Sequence, residues 1–149
     1  MEKNKRPSSA IHNSSSVGDV SFSGVKGISR AWVRRVVKKT LQFEKFKGKT
    51  VSVLLTDNAT IRRLNRRFLK HDYATDVISF GFEDSKNLGD LAVSAEMASE
   101  VSKTLHIPYR EELARYLVHG TLHLLGYNDQ KKKDAQKMHE RQESILKTL

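Results

Sequence analysis

The run TVSVLLTD, Thr50 to Asp57, is short, β-branched and apolar, the composition of a strand buried within a sheet. Before it, Ser29 to Lys47 places Trp32, Val33, Val36, Val37, Leu41 and Phe43 at mostly three- and four-residue steps, with basic residues between them. That spacing predicts an amphipathic helix ending near Gly48. After it, Asp57 or Asn58 can cap a second helix through Leu69, which buries Ile61, Leu64 and Phe68 and carries Arg62, Arg63, Arg66 and Arg67 on its flanks. Two further strand-like runs, DVISFGFE (Asp76 to Glu83) and GDLAVSAE (Gly89 to Glu96), are joined by the polar turn DSKN and suit a hairpin. The rest reads as helix, near Ser94 to Leu105, Arg110 to Leu125 and Lys131 to Leu146. Pro108 separates the first two, and Gly126 closes the second. This order predicts an α+β fold, an α/β sandwich: a mixed sheet of about four strands with helices packed around it.

A chain of 149 residues, 38% of them hydrophobic, is enough to enclose a single core. Residues 1–16, MEKNKRPSSAIHNSSS, are polar and serine-rich and predict a flexible N-terminal tail, leaving 17–149 as one domain. No apolar run follows the first basic residues, and none is long enough to cross a bilayer, so the expectation is a cytoplasmic protein without a membrane partner. Cysteine is absent, which leaves His, Asp and Glu to hold any metal. The net charge of +10 favours a polyanionic partner such as nucleic acid or an acidic surface, against the plainer reading of a solvated basic surface.

Chemistry concentrates in VHGTLHLLGYND, Val118 to Asp129. His119 and His123 are four apart on a predicted helix, so their rings project from one face and can grip one ion. Gly126 breaks the helix, and Asp129 follows three residues later, giving H-x-x-x-H-x-x-G-x-x-D. Metzincin peptidases use this spacing, with His as the usual third ligand. Three protein ligands leave a fourth position open, as in catalytic sites.

The competing reading makes both histidines ordinary helix residues and Asp129 the cap of the final helix. His139, on the polar side of that helix, is the spare ligand candidate; His12, His71 and His106 are expected to do local work. A zinc peptidase carries a Glu general base directly after the first His, and here that residue is Gly120. Phosphodiester cleavage can proceed without that Glu, because a divalent ion can activate water and neutralise charge on phosphoryl oxygens.

HGTLHLLGYND closely resembles the H-G-x-L-H-L-x-G-Y-D-H motif of the YbeY family, bacterial metal-dependent endoribonucleases of rRNA maturation. LNRRFLKHDYATDVISF, Leu64 to Phe80, is similar to that family's L-N-x-x-[YF]-R-x-x-D-x-x-T-[DN]-V-[LI]-S-F stretch, and LGDLAVS, Leu88 to Ser94, to its L-G-D-I-x-I-S strand. The likeness spans about Thr50 to Leu146. It implies that His119 and His123 are ligands and that the metal, commonly zinc, lies in a cleft between helices and sheet. Asp129 stands where the commonest form has His, and Asn128 where it has Asp. An Asp ligand lowers the ion's effective charge and shifts preference towards harder ions such as manganese. The family's basic residue in the L-N-x-x-[YF]-R stretch falls on Leu69, so a phosphate-binding cation must come from Arg66, Arg67, Lys70 or His71.

The function expected is a single-strand-specific endoribonuclease acting in rRNA maturation and ribosome quality control, with one divalent ion, Zn2+ or a harder ion such as Mn2+, held by His119, His123 and Asp129. Arg62, Arg63, Arg66, Arg67, Lys70 and His71 are the expected RNA-binding residues, and rRNA precursors and the ribosomal small subunit the expected partners. Aromatic content of 7% favours backbone recognition over base stacking. The alternative is a ribosome-associated assembly or RNA-binding factor with a structural metal and little activity, which the loss of arginine at Leu69 favours. A metallopeptidase is disfavoured by Gly120.

Overall fold

The computed structural model describes residues 17–149, so the expected tail of residues 1–16, with His12, lies outside the described residues. The elements run β1 (Val17–Phe22), α1 (Arg30–Phe43), β2 (Thr50–Thr56), α2 (Asn58–Leu69), β3 (Val77–Gly81), β4 (Asn87–Ser94), α3 (Ala95–Leu105), α4 (Tyr109–Leu124) and α5 (Lys132–Leu146). The four strands form one sheet in the order β1-β2-β4-β3. β1, β2 and β4 are parallel; β3 turns back antiparallel along β4, with Val77 opposite Val93 and Gly81 opposite Gly89. The mixed sheet and the hairpin agree with the sequence reading.

Strand β1 is the element that periodicity did not assign. Its sequence, VGDVSF, carries Gly18 and Asp19, which read locally as a turn. In the structure they fall where the register against β2 shifts between Val17 and Val20, so the strand accommodates them as an irregularity while Val17 and Val20 stay buried. Helix α1 also stops earlier than expected, at Phe43. Lys45 takes a left-handed conformation (φ 56°), and the Phe46 N–H reaches back to the Leu41 carbonyl at 2.9 Å, closing the helix without a glycine.

The two faces of the sheet are unequal. Val51, Val53 and Leu55 of β2 and Leu91 and Val93 of β4 point into the main core, with Val33, Val36, Val37 and Leu41 of α1 and Leu113, Leu117, Val118 and Leu122 of α4. The alternate residues Ile78, Phe80 and Ala92 face the other way and meet Ile61 of α2, with Leu64 and Phe68 beside them. Helix α2 therefore lies on the opposite face from α4. Asp57 caps it by accepting from the Thr60 N–H at 2.8 Å. Buried Asn65 donates to the Tyr73 carbonyl at 3.0 Å, pinning the loop that leads into β3.

Helix α4 crosses close above the sheet because Gly120 lets it. A Cβ at this position would stand 2.7 Å from Val77 Cγ2 and 3.0 Å from Leu91 Cδ2. The Ser79 hydroxyl donates to the Gly120 carbonyl at 2.9 Å, tying edge strand β3 to the middle of the histidine motif. Among the described residues no helix is long and apolar enough to cross a membrane.

Candidate metal centre

His119 and His123 sit one turn apart near the end of α4, each partly buried, with Nε2 atoms 3.2 Å from one another. After Leu125 the helix ends in a left-handed turn: Gly126 has φ 100°, the Gly126 N–H bonds the His123 carbonyl at 3.0 Å and the Tyr127 N–H bonds the Leu122 carbonyl at 3.1 Å. This is the paired bonding of a Schellman ending, for which glycine carries no Cβ penalty. The turn brings Asp129 back over the helix, and its Oδ2 stands 3.5 Å from His119 Nε2 and 3.4 Å from His123 Nε2.

The three atoms form a nearly equilateral triangle. Donors held at about 2.0–2.1 Å from a tetrahedral ion are separated by roughly 3.3–3.4 Å, so the observed spacing fits one face of such a coordination sphere. The far ring nitrogens support the same orientation. His123 Nδ1 lies 3.0 Å from the Tyr127 carbonyl, which can only accept, so the hydrogen is on Nδ1 and the Nε2 lone pair faces Asp129. His119 Nδ1 lies 2.8 Å from Gln142 Oε1. The Gln142 amide is oriented by Glu143, whose carboxylate accepts from Gln142 Nε2 at 3.2 Å. Three acceptor atoms are thus directed at one point, an arrangement that repels itself unless a cation lies between them.

Asp129 does not cap the final helix. Lys131 occupies the N-cap of α5 with no side-chain capping bond, and the Asp129 carboxylate faces the histidines. His139 is exposed on α5 and outside the His119, His123 and Asp129 group, to which no further His, Asp or Glu belongs among the described residues. His106 ends α3 in a left-handed conformation, and His71 Nδ1 meets the Tyr73 hydroxyl at 3.2 Å.

The triangle opens on a cleft of about 600 Å³ bounded by Leu69, by Thr75 to Val77, by Ser79 and Gly81 of β3, and by Leu124 and Gln130. Asp76 on its wall is held at Oδ1 by the Val77 N–H, 2.8 Å, and the Thr75 hydroxyl, 3.2 Å. The six expected RNA-binding residues are not on this wall. They ride on α2 and the loop after it, across the sheet from α4, and only Leu69, at the end of α2, comes round the β3 edge into the cleft. Arg62 is held by Asp72 through contacts of 2.9 and 3.3 Å, Arg66 lies 3.9 Å from the same carboxylate, Arg63 donates to the Thr60 hydroxyl, and Arg67 lies 5.4 Å from the Phe68 ring centroid. Lys70 forms the left-handed end of α2.

Gln142 and the Tyr127 carbonyl are the supporting groups that motif reasoning passed over. Gln142 did leave a signal: with Met138 and Ile145 it occupies the buried stripe of α5, where a polar side chain requires a partner. Tyr127 is fixed from its other end. Its hydroxyl donates to Glu44 at the end of α1, which also receives Arg141 of α5 at 2.6 Å. Burial, and then the Glu44 carboxylate, raise the Tyr127 hydroxyl above its ordinary pKa, keeping it a donor.

The family model described as Endoribonuclease YbeY matches residues 17–149. An Endoribonuclease YbeY of Persephonella marina is 35% identical over 133 residues, covering 85% of this chain and 87% of the relative. One from Carboxydothermus hydrogenoformans is 38% identical over 120 residues, covering 78% and 83%. The solution structure of TM1509 from Thermotoga maritima superposes with a TM-score of 0.63 at 25% identity, covering 88% of this chain and 87% of that one.

Proposed function

The chain belongs to the YbeY family of metal-dependent endoribonucleases, and from that premise we propose that His119, His123 and Asp129 hold one divalent ion at which single-stranded RNA is cleaved. The observation that carries this reading is the triangle of three inward-facing acceptors, spaced 3.2 to 3.5 Å, on an open cleft. A bound ion supplies Lewis acidity towards a phosphoryl oxygen and charge neutralisation. The protein's part is to hold the donors. The Nδ1–H groups, engaged by Gln142 and Tyr127, keep both Nε2 lone pairs turned inward. Zinc suits the two imidazoles, and the carboxylate of Asp129 extends tolerance to manganese. No protein base is needed from position 120, and with Val77 and Leu91 against it that position has no room for one.

RNA approaches through charge. Arg63, Arg66, Arg67 and Lys70, across the sheet from the cleft, are the cations proposed to hold the phosphate backbone at a distance from the ion, while Arg62, committed to Asp72, contributes least. His71 stands beside Tyr73 in the loop after α2. The proposed substrates are rRNA precursors, the proposed partner the small ribosomal subunit, and the proposed setting the cytoplasm. The reading as an assembly factor with a structural metal is not favoured, because the family is enzymatic and three ligands leave a position open to the cleft.

The test is elemental analysis of purified wild type, His123→Ala and Asp129→Ala, each confirmed folded, followed by cleavage of single-stranded RNA with the ion found. We expect about one equivalent in wild type, with metal and cleavage lost together in both variants. A wild type that stays metal-free after reconstitution with zinc or manganese sinks the mechanism.

A further inference from the structure

A second cavity, of about 500 Å³, lies between α1, the first half of α4 and the end of α5, and shares no lining residue with the metal cleft. Its floor is apolar: Val36, Ala114, Leu146 and the half-buried ring of Trp32. Its rim carries Arg35, Arg110 and Lys147. The acidic side chains at the same cavity, Glu111 and Glu143, both contact Arg115, at 3.8 and 2.9 Å, and Arg115 also meets Glu112 at 3.3 Å. Among the described residues Arg35, Arg110 and Lys147 have no carboxylate within ion-pairing reach, and all three are exposed. Arg110 spreads its guanidinium 5.4 Å from the Trp32 ring centroid, so an aromatic plane and a planar cation meet at the mouth.

We propose that this cavity seats one nucleotide of a single-stranded RNA, its base against Trp32 and the apolar floor and its flanking phosphates on Arg35, Arg110 and Lys147. An apolar floor without a charged rim would suit many ligands, and a charged rim without a floor would be an ordinary basic surface. Together they match the two halves of a nucleotide, a flat base and an anionic phosphate. Arg35, Arg110, Arg115 and Lys147 outnumber Glu111 and Glu143 among the lining side chains, so the mouth carries a formal excess of two positive charges. The choice of RNA as ligand rests on the endoribonuclease reading; the chemistry of the cavity does not. The site is also connected to the metal centre. Arg115 grips Glu143 through contacts of 2.9 and 3.0 Å, Glu143 orients the Gln142 amide, and Gln142 holds His119.

Trp32 is the single tryptophan of the chain, so its fluorescence reports on this cavity alone. The experiment titrates an adenine-rich single-stranded RNA octamer into full-length wild type and into His123→Ala, with AMP and inorganic phosphate as separate arms. Expected is saturable quenching in both proteins, with dissociation constants within about threefold of each other, because the lining residues are distinct. Arg35→Gln, Arg110→Gln and Lys147→Gln combined should weaken octamer binding at least tenfold and reduce the magnitude of the salt slope by about 1.4, at roughly 0.7 for each of the two flanking phosphates no longer neutralised. Circular dichroism checks the fold, and Arg35→Gln with Lys147→Gln is the milder pair. An absent quench, or one abolished by His123→Ala and kept by the triple variant, overturns the site. AMP or phosphate saturating at the same concentration as the octamer overturns the assignment to an RNA strand. Because quenching needs neither metal nor cleavage, a failure of the nuclease mechanism leaves this result readable.

Discussion

His119 Nδ1 lies 2.8 Å from Oε1 of Gln142, a residue on another helix whose own amide is fixed by Glu143. The contact decides which ring nitrogen of His119 faces Asp129. Gln142→Leu, which keeps the buried bulk, should lower metal affinity about 10- to 100-fold and leave the fold intact. Competition titration with a zinc chromophore measures this; an unchanged affinity would leave Gln142 a packing residue only.

Asp129→Ala separates ligation from capping. With α5 capped at Lys131 and Asp129 turned to the histidines, the variant should lose its metal. In chelator its thermal stability should stay within about 0.5 kcal/mol of wild type, as for a surface substitution. A loss of roughly 1 kcal/mol in chelator would instead reveal a capping role.

Gly120→Ala is expected to destabilise by about 1–3 kcal/mol, because the added methyl meets Val77 and Leu91 and α4 must lift from the sheet. Urea unfolding reads the cost. A variant as stable as wild type would mean that the helix and β3 adjust freely, and the absence of a peptidase-type Glu would then need another reason.

Acid sensitivity should pass through Glu143. Its carboxyl is held below the ordinary glutamate value of 4.5 chiefly by its bond to Arg115. A folded-state value below the unfolded one contributes stability that is complete above the unfolded value and disappears as pH falls through the folded one. Melting temperatures of wild type and Glu143→Gln should therefore differ at pH 7 and converge below about pH 4, given an unfolded value near 4.3. Parallel curves down to pH 3 would contradict the coupling.

Leu69→Arg places a cation in the cleft wall without touching a ligand. Single-stranded RNA should bind more tightly, with a salt slope steeper by about 0.7, at unchanged metal content. No change in slope would mean that phosphates do not pass Leu69.

The convergence of His119, His123 and Asp129 was legible because they lie within one helix and the turn that ends it, where spacing alone sets geometry. Strand β1 was not, since Gly18 and Asp19 look like a turn until β2 supplies partners for a shifted register. The arginines of α2 could be read as basic, but not as lying across the sheet from α4, because side-chain periodicity does not say which face of a sheet a helix covers. Leu69 illustrates the same limit. It looked like a lost cation, and in the fold it is the only member of its helix to reach the cleft. Gln142 is 23 positions from His119, beyond the reach of any local motif.

The Gly126 turn has a consequence for the order of assembly. All three donors come from a short continuous segment, so closing their loop costs little chain entropy, and they can come together as soon as α4 has formed. The β3 wall and the Gln142 clamp are delivered by distant parts of the chain, and contacts of that range form late. The three side chains can therefore converge in a refolding chain before the wall beside them is complete, so local order around Gly126 does not wait on the distant parts of the fold.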